Sequence, residues 1–327
     1  MASSTTDRHS QHAGRIGAVV VSHDSAADLP ACLEALRRAD GVAEIVVVDN
    51  ASRDGSAEVV RSFRDPRARL LALDVNTGFA GGCNRGFAAL SPECSWVAFV
   101  NPDVTVAPDC LRAATAVGDP AIAGVAPLLL RPDGATVDSV GQVLDRRTLE
   151  VRDRGYGQPL VDELLEPREV LAACGALAVY RRAALEAVAE AGGPWAEHFF
   201  CFWEDLELGW RLTNRGFSVL AAPHAVAVHG RGAGAAAGRG PLRWRRPPEL
   251  EACVLSNRWM TLARHLHRAD LARRMPVLLA WDLGMTVLSA VRRPRLLGHL
   301  RRRLPLVYRE LSRREPLPRK RLSELPW

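Results

Sequence analysis

An α/β fold with a mostly parallel central sheet is predicted by three observations on this 327-residue chain. Continuous β-branched runs such as Ile16 to Ser22 suit strands buried on both faces. Segments with helical apolar spacing alternate with them, and polar residues cluster just beyond the strand ends. A β-α-β-α order implies right-handed crossovers and a parallel sheet. Ligands bind such sheets at the carboxyl ends of the strands.

The elements follow in order. After the first strand, Asp28 to Arg38 places Leu29, Cys32, Leu33 and Leu36 on one helical face, with Asp28 as the N-cap. Glu44 to Asp49 reads as a strand, Gly55 to Phe63 as a helix and Arg69 to Leu73 as a strand. A glycine-rich turn over Thr77 to Gly82 opens a helix ending near Leu90. Trp96 to Val100 is the next strand, and Pro108 to Val117 the next helix. Further on, Leu171 to Tyr180 reads as a strand, Glu204 to Arg215 as a helix and Phe217 to His229 as two short strands. Gly230 to Pro248, dense in Gly, Ala, Arg and Pro, reads as a loop or boundary. From Glu249 onward the pattern is helical and increasingly basic. The expected organisation is a polar, disordered tail over 1–14, a catalytic domain over 15–235 and an Arg-rich helical extension over 236–327.

Composition narrows the class. The chain is 48% hydrophobic and 24% charged, ordinary for a globular protein with a sizeable core. The formal charge is +6, carried almost wholly by Arg, since Lys320 is the single lysine. The basic residues lack interleaved aromatics or a nucleic-acid motif, so nucleic acid is not an expected partner. Seven cysteines without a C-x-x-C pair suggest neither a disulfide framework nor a zinc site, and fit a reducing cytoplasm. The apolar stretch Pro276 to Val291 is short for a bilayer span and contains Asp282. With the basic run Arg292 to Arg303 beside it, it suits either the inner face of an anionic membrane or a solvated helix packed on the catalytic domain.

Five blocks carry candidate chemistry. Asp49 ends a strand within Val46 to Ser56, where it could accept from a ribose or a base N–H, or simply form an Asx-type turn. Asn76 to Gly86 lets backbone approach a ligand at Gly78 and Gly81; packing of a helix on the sheet explains its glycines equally well. Asn101, Pro102 and Asp103 directly follow a strand. A carboxylate there could hold a hard divalent cation against a diphosphate, or be a Pro-Asp turn. Glu204 and Asp205 occupy the first turn of a buried helix behind an aromatic run. Helix-dipole complementarity accounts for them, and so does a general base in a cleft. His229 ends a strand; a lone His is more often structural, but beside Asp103 a neutral imidazole is a reasonable ligand.

In this order the blocks resemble family 2 inverting glycosyltransferases of the GT-A fold, a Rossmann-like nucleotide-diphospho-sugar transferase architecture, over roughly Ile16 to Gly232. The match rests on Ser22, the Val48 to Ser52 run, Asn76 to Gly82 with Asn84, Asn101 to Asp103, Glu204 and Asp205 with Arg211, and His229. Within the family the chain is most similar to bacterial rhamnosyltransferase-type enzymes of cell-wall and surface-polysaccharide synthesis. The resemblance implies donor contacts from Ser22, Asp49, Asn76, Gly78, Gly81, Asn84, Asn101 and Asp103. It implies a catalytic pair, Glu204 and Asp205, with Asp205 as base, and a divalent cation (Mg²⁺ or Mn²⁺) at Asp103 and His229. The implied donor is a nucleotide-diphosphate sugar, dTDP-rhamnose before UDP-hexoses, and the acceptor a glycan or polyprenyl-diphosphate lipid. Asn101 stands where the commoner motif has Asp, which bears on metal affinity. A dinucleotide-dependent oxidoreductase is excluded by the absence of G-x-G-x-x-G after the first strand. A catalytically silent sugar-nucleotide or glycan binder is the remaining rival, and a base opposite a metal argues against it.

Overall fold

The computed structural model describes residues 14–230, 247–312 and 319–327. The expected tail up to residue 13, most of the Gly230 to Pro248 loop and the boundary near 235 lie outside them. The first half runs β1 (Ile16–Ser22), α1 (Leu29–Arg38), β2 (Val42–Asp49), α2 (Ser56–Ser62), β3 (Ala68–Ala72), α3 (Gly78–Ala89) and β4 (Trp96–Val100). All seven residues of β1 and all five of β4 are buried, as continuous apolar runs demand of strands covered on both faces. β1 pairs in parallel with β2 and β4, and β2 with β3.

Next come β5 (Val104–Val106), α4 (Cys110–Thr115), β6 (Ile122–Leu130), β7 (Val137–Ser139), β8 (Gln142–Leu144) and β9 (Val151–Asp153). They are followed by α5 (Asp162–Leu165), β10 (Arg168–Val170), β11 (Leu177–Arg181), α6 (Arg182–Val188), α7 (Glu204–Asn214) and β12 (Ser218–His229). The sheet order is β10-β12-β6-β11-β4-β1-β2-β3, with β5 on β12 and β7 on β6. β6 and β12 run parallel, whereas β11 is antiparallel to both its neighbours. Apolar clusters cover the two faces, with Leu29, Leu33 and Leu36 of α1 on one and Ala80 and Cys83 of α3 on the other.

Three local expectations are corrected. Asp28 stands at the N-cap of α1, but its side chain makes no capping bond; α1 is entered through a turn in which Ser25 O accepts from Asp28 N and Leu29 N. The strand expected from Leu171 begins only at Leu177, because 171–175 is drawn toward other partners: Leu171 N and Ala172 N donate to Gln142 O, and Gly175 N donates to Asp205. The two strands expected over Phe217 to His229 are one, with an irregularity between Ala222 and Val226 around Pro223, which has no N–H for the ladder.

The C-terminal part is helical: α8 (Pro248–His265), α9 (Arg268–Arg292) and α10 (Arg295–Ser312). It packs on α7 through an apolar cluster joining Trp203, Leu206 and Trp210 to Met260, Leu266, Leu278 and Val307. A buried charged network runs beside that cluster. Arg211 donates to Glu207 (2.9 Å), Val188 O (2.7 Å) and Pro194 O (2.6 Å), while Glu207 also meets His265 at 2.9 Å. Arg264 ties Glu190, Glu207 and Glu310 together, so α7, α8 and α10 share one set of charges.

Candidate active site

The site lies at the carboxyl ends of β1, β2 and β4 and borrows from the turns that follow them. Ser22 and Asp49 are register partners at the ends of β1 and β2. Both are buried, and Ser22 Oγ and Asp49 Oδ1 have no hydrogen-bond partner among the described residues. Adjacent buried polar atoms without partners at a sheet's carboxyl edge are what a polar ligand would satisfy.

Asn50, which the sequence reading passed over, locks this edge to the start of α3. Its amide donates to Gly78 O (2.9 Å) and accepts from Thr77 N (2.8 Å) and Thr77 Oγ1 (3.1 Å). Asn76 is exposed, and its side-chain oxygen accepts from Gly78 N at 2.8 Å, an Asx turn opening α3. Gly78 has φ +74°, and a Cβ there would lie 2.4 Å from Phe200 O. Glycine is therefore required where two loops cross. Gly81 sits in the first turn of α3 against Thr77, and a Cβ at Gly82 would strike Val21, so this glycine run also seats α3 on the sheet. Asn84, expected among the donor contacts, is buried with both ends of its amide engaged, accepting from Trp195 N (2.9 Å) and donating to Trp195 O (2.8 Å) and Glu197 (3.2 Å). It braces α3 against the 194–197 segment.

The Asn101-Pro102-Asp103 turn follows β4, with Asn101 N donating to Ala176 O at 2.9 Å. Asp103 Oδ2 lies 3.4 Å from His229 Nε2, while His229 Nδ1 meets buried Asp138 at 2.8 Å. Burial lowers the imidazole's proton affinity, but its hydrogen bonds to Asp103 and Asp138 outweigh that and hold its pKa up at about 9. A carboxylate orienting Nδ1 is the usual outer support of a metal-binding imidazole, and it aims Nε2 at the partner ligand. Among the described residues no group of three or more His, Cys, Asp or Glu is disposed to hold a metal. The chain therefore offers two ligands, and a hard cation here would complete its shell with oxygens from a diphosphate and water. The donor set fits on those terms.

Glu204 and Asp205 open α7 after a strained approach: Phe200, Phe202 and Trp203 have φ of +66°, +66° and +70°. Positive φ in three bulky residues persists only where surrounding structure enforces it. Asn257 of α8 supplies that enforcement, its amide nitrogen donating to Phe199 O, Cys201 O and Phe202 O at 2.7–2.9 Å. Arg303 of α10 in turn donates to Asn257 Oδ1 (2.6 Å) and Ser256 Oγ (2.5 Å). We expect Asn257→Ala to lower kcat ~10- to 100-fold through misplacement of Asp205, with donor affinity little changed. Asn257→Asp, equal in shape but without the donors, should fall with it. Steady-state kinetics on folded variants checks this, and undiminished kcat in either variant would remove the clamping role.

The two carboxylates differ in environment. Burial raises the Asp205 pKa, but Gly175 N (2.9 Å), Leu206 N (2.8 Å) and the Gln142 amide (2.9 Å) all donate to the carboxylate and favour its charged form. Burial raises Glu204 well above the ordinary range, with Asp205's charge adding to it, and Glu204 Oε2 has no partner. The environment thus favours the protonated form more at Glu204 than at Asp205.

The two halves of the site share supports. Gly175 holds Asp205 while the next residue, Ala176, holds Asn101. Asp138 holds His229, and Gln142, four residues later, holds Asp205. Asp138 and Gln142 were missed in sequence because they lie in three-residue strands with no readable period.

Comparison with known proteins bears on family and fold. The profile of Glycosyl transferase family 2 matches residues 18–189, more than half of the chain. The chain belongs to that family and has the GT-A fold. It is similar to the N-acetylglucosaminyl-diphospho-decaprenol L-rhamnosyltransferase of Mycobacterium tuberculosis, 28% identical over 206 residues, or 57% of this chain and 66% of the relative. It is also similar to the succinoglycan biosynthesis protein ExoO of Rhizobium meliloti, 40% identical over 95 residues, or 29% of this chain and 27% of the relative. It thus spans less than two thirds of either relative. Among solved structures, GalNAc-T7 with UDP, GalNAc and Mn²⁺ shares the fold at a TM-score of 0.61 and 14% identity, covering 82% of this chain and 51% of that one. The mannosyltransferase PcManGT of Pyrobaculum calidifontis with GDP-Man and Mn²⁺ gives 0.55 and 16%, covering 92% and 88%.

Proposed function

We propose that this protein is an inverting glycosyltransferase that moves L-rhamnose from dTDP-rhamnose to a glycan or polyprenyl-diphosphate-linked acceptor in cell-wall or polysaccharide synthesis. It works at the cytoplasmic side, peripheral to the inner leaflet. One observation carries the reading: Asn101, which heads the Asp103 turn, and Asp205 are held by consecutive residues, Ala176 and Gly175, while His229 and Asp205 are held from one short segment by Asp138 and Gln142. A base on one side and an anion-neutralising pair on the other are what a displacement with a diphosphate leaving group requires. Rhamnose is preferred because the mycobacterial relative is an L-rhamnosyltransferase by name.

Asp205 accepts the acceptor hydroxyl proton, and the freed oxygen attacks the anomeric carbon from the face opposite the departing diphosphate. Ser22 and Asp49 hold the nucleoside through their partnerless polar atoms, with Asn76, Gly78 and Gly81 lining the donor side. Asp103 and His229 would hold a divalent cation, Mg²⁺ or Mn²⁺, which supplies neutralisation of charge on the leaving diphosphate. Calorimetric titration with a panel of nucleotide sugars in Mn²⁺, Mg²⁺ or EDTA tests the reading. We expect dTDP-rhamnose to bind in a metal-dependent way and Asp103→Ala to remove that dependence. Binding of no nucleotide sugar under any condition would overturn the proposal, and tight binding of a UDP-hexose alone would replace the donor.

A further inference from the structure

The outward face of α9 takes no part in the active site. Leu279, Leu283, Val287 and Val291 are each half to three-quarters exposed and recur every four residues. Together they make an apolar stripe ~20 Å long at 1.5 Å per residue. Between Arg274 and Arg292 the helix carries one charge, Asp282, and it points inward to Arg258 at 2.7 Å. Arg268, Arg273 and Arg274 lie before the stripe, and Arg292 and Arg295 after it.

At the N-terminal end of the stripe an open cleft of about 520 Å³ is lined by Arg146, Arg273, Arg274, Arg321, Asp270 and Trp327. Among the described residues four arginines and one carboxylate, Asp270, line it; Asp270 is engaged by Leu322 N (3.0 Å) and Arg321 (3.6 Å), and Arg274 also donates to Arg146 O. Arg146 lies over the Trp327 ring at 5.3 Å, which fixes one wall. The cleft suits a phosphate-bearing anion.

We infer that α9 seats the protein on an anionic lipid bilayer, with the helix in the membrane plane and a lipid phosphate in the arginine cleft. By length and composition alone α9 could cross a membrane. Its inner face opposes that: Leu278 and Ser289 are buried, Asp282 pairs with Arg258, and Trp281 Nε1 donates to Glu150 at 2.9 Å. An apolar face flanked by arginines is the pattern of an interfacial helix. A second copy is disfavoured by charge, because two such helices set face to face would bring arginine clusters together in either orientation. The seat also adjoins the site: Arg258 donates to Asp282 and lies over the Trp203 ring at 5.8 Å, one residue before Glu204.

The inference rests on the proposed function only for why a membrane would matter, and its test is independent of turnover. The full chain is floated with phosphatidylcholine vesicles containing or lacking phosphatidylglycerol. We expect at least ~10-fold more protein on the anionic vesicles. Two variants, Leu279→Glu with Leu283→Glu and Arg273→Glu with Arg274→Glu, should each lose at least ~10-fold of that binding. Circular dichroism and thermal unfolding serve as their fold control. Equal recovery on both vesicle types, unchanged binding by both variants, or a dimer abolished by the leucine variant without vesicle binding would overturn it. Vesicle binding without any nucleotide-sugar binding would leave this inference standing and remove the transferase reading.

Discussion

Replacing Asp205 by Asn lowers turnover ~10²- to 10⁴-fold, the range a general base supplies, while donor affinity stays within a few-fold of the parent. The amide has nearly the shape of the carboxylate, and its oxygen can still accept from Gly175 N, so the shared support with the Asn101 turn persists. What is lost is the proton acceptor. The pH profile of the parent adds a sign. Burial raises Asp205, and activity needs it deprotonated, so kcat/KM should climb with pH through a value above the ordinary carboxylate range of about 4. Near-normal single-turnover rates in the variant would move the base elsewhere, and Glu204 would be the next group to replace.

Arg211→Met costs about 3–5 kcal/mol of stability, because it strips a buried carboxylate of its closest cation. Arg211 and Glu207 are 2% and 0% exposed, and the guanidinium also satisfies Val188 O and Pro194 O. Burial alone would raise Glu207; Arg211, Arg264 and His265 override it and hold its pKa well below the ordinary range. A depressed folded-state value contributes stability above the unfolded pKa of about 4.3 and loses it as pH falls toward the folded value. Without Arg211 the folded value rises toward the unfolded one, so less stability is left to lose below about pH 4.3 and the gap between parent and variant narrows as pH falls. Urea unfolding of both proteins between about pH 7 and pH 3 checks this. A variant within about 1 kcal/mol of the parent at neutral pH would mean that Arg264 and His265 alone keep Glu207 compensated.

The sequence made the first half legible because its strands are continuous apolar runs buried on both faces, and helical spacing separates them. Asp49, Asp103, Asp205 and His229 were visible for a related reason: each stands at the end or start of an element whose period can be read. Within residues 118–170 the sequence reading passed over β6, an apolar run interrupted by Gly124 and Pro127, and the rest gave no period. β7, β8, β9 and β10 are three residues each, and Asp138 and Gln142 were hidden among them. Asn257 was invisible for the opposite reason. It lies inside a long helix, and nothing in that helix's pattern shows that one amide holds three carbonyls of a loop more than fifty residues away. Asn84 shows what motif reading leaves out, since its amide also braces α3 against Trp195 and Glu197, far along the chain.

The most direct measurement of the central claim is proton NMR of the product formed by the purified protein from dTDP-rhamnose and a lipid-linked or soluble glycan acceptor, in Mg²⁺ or Mn²⁺. A new glycoside with the anomeric configuration opposite to the donor, absent in EDTA and absent with Asp205→Asn, is the predicted result. A product that retains the donor's configuration, or one formed equally by Asp205→Asn, would contradict a single displacement driven by this base.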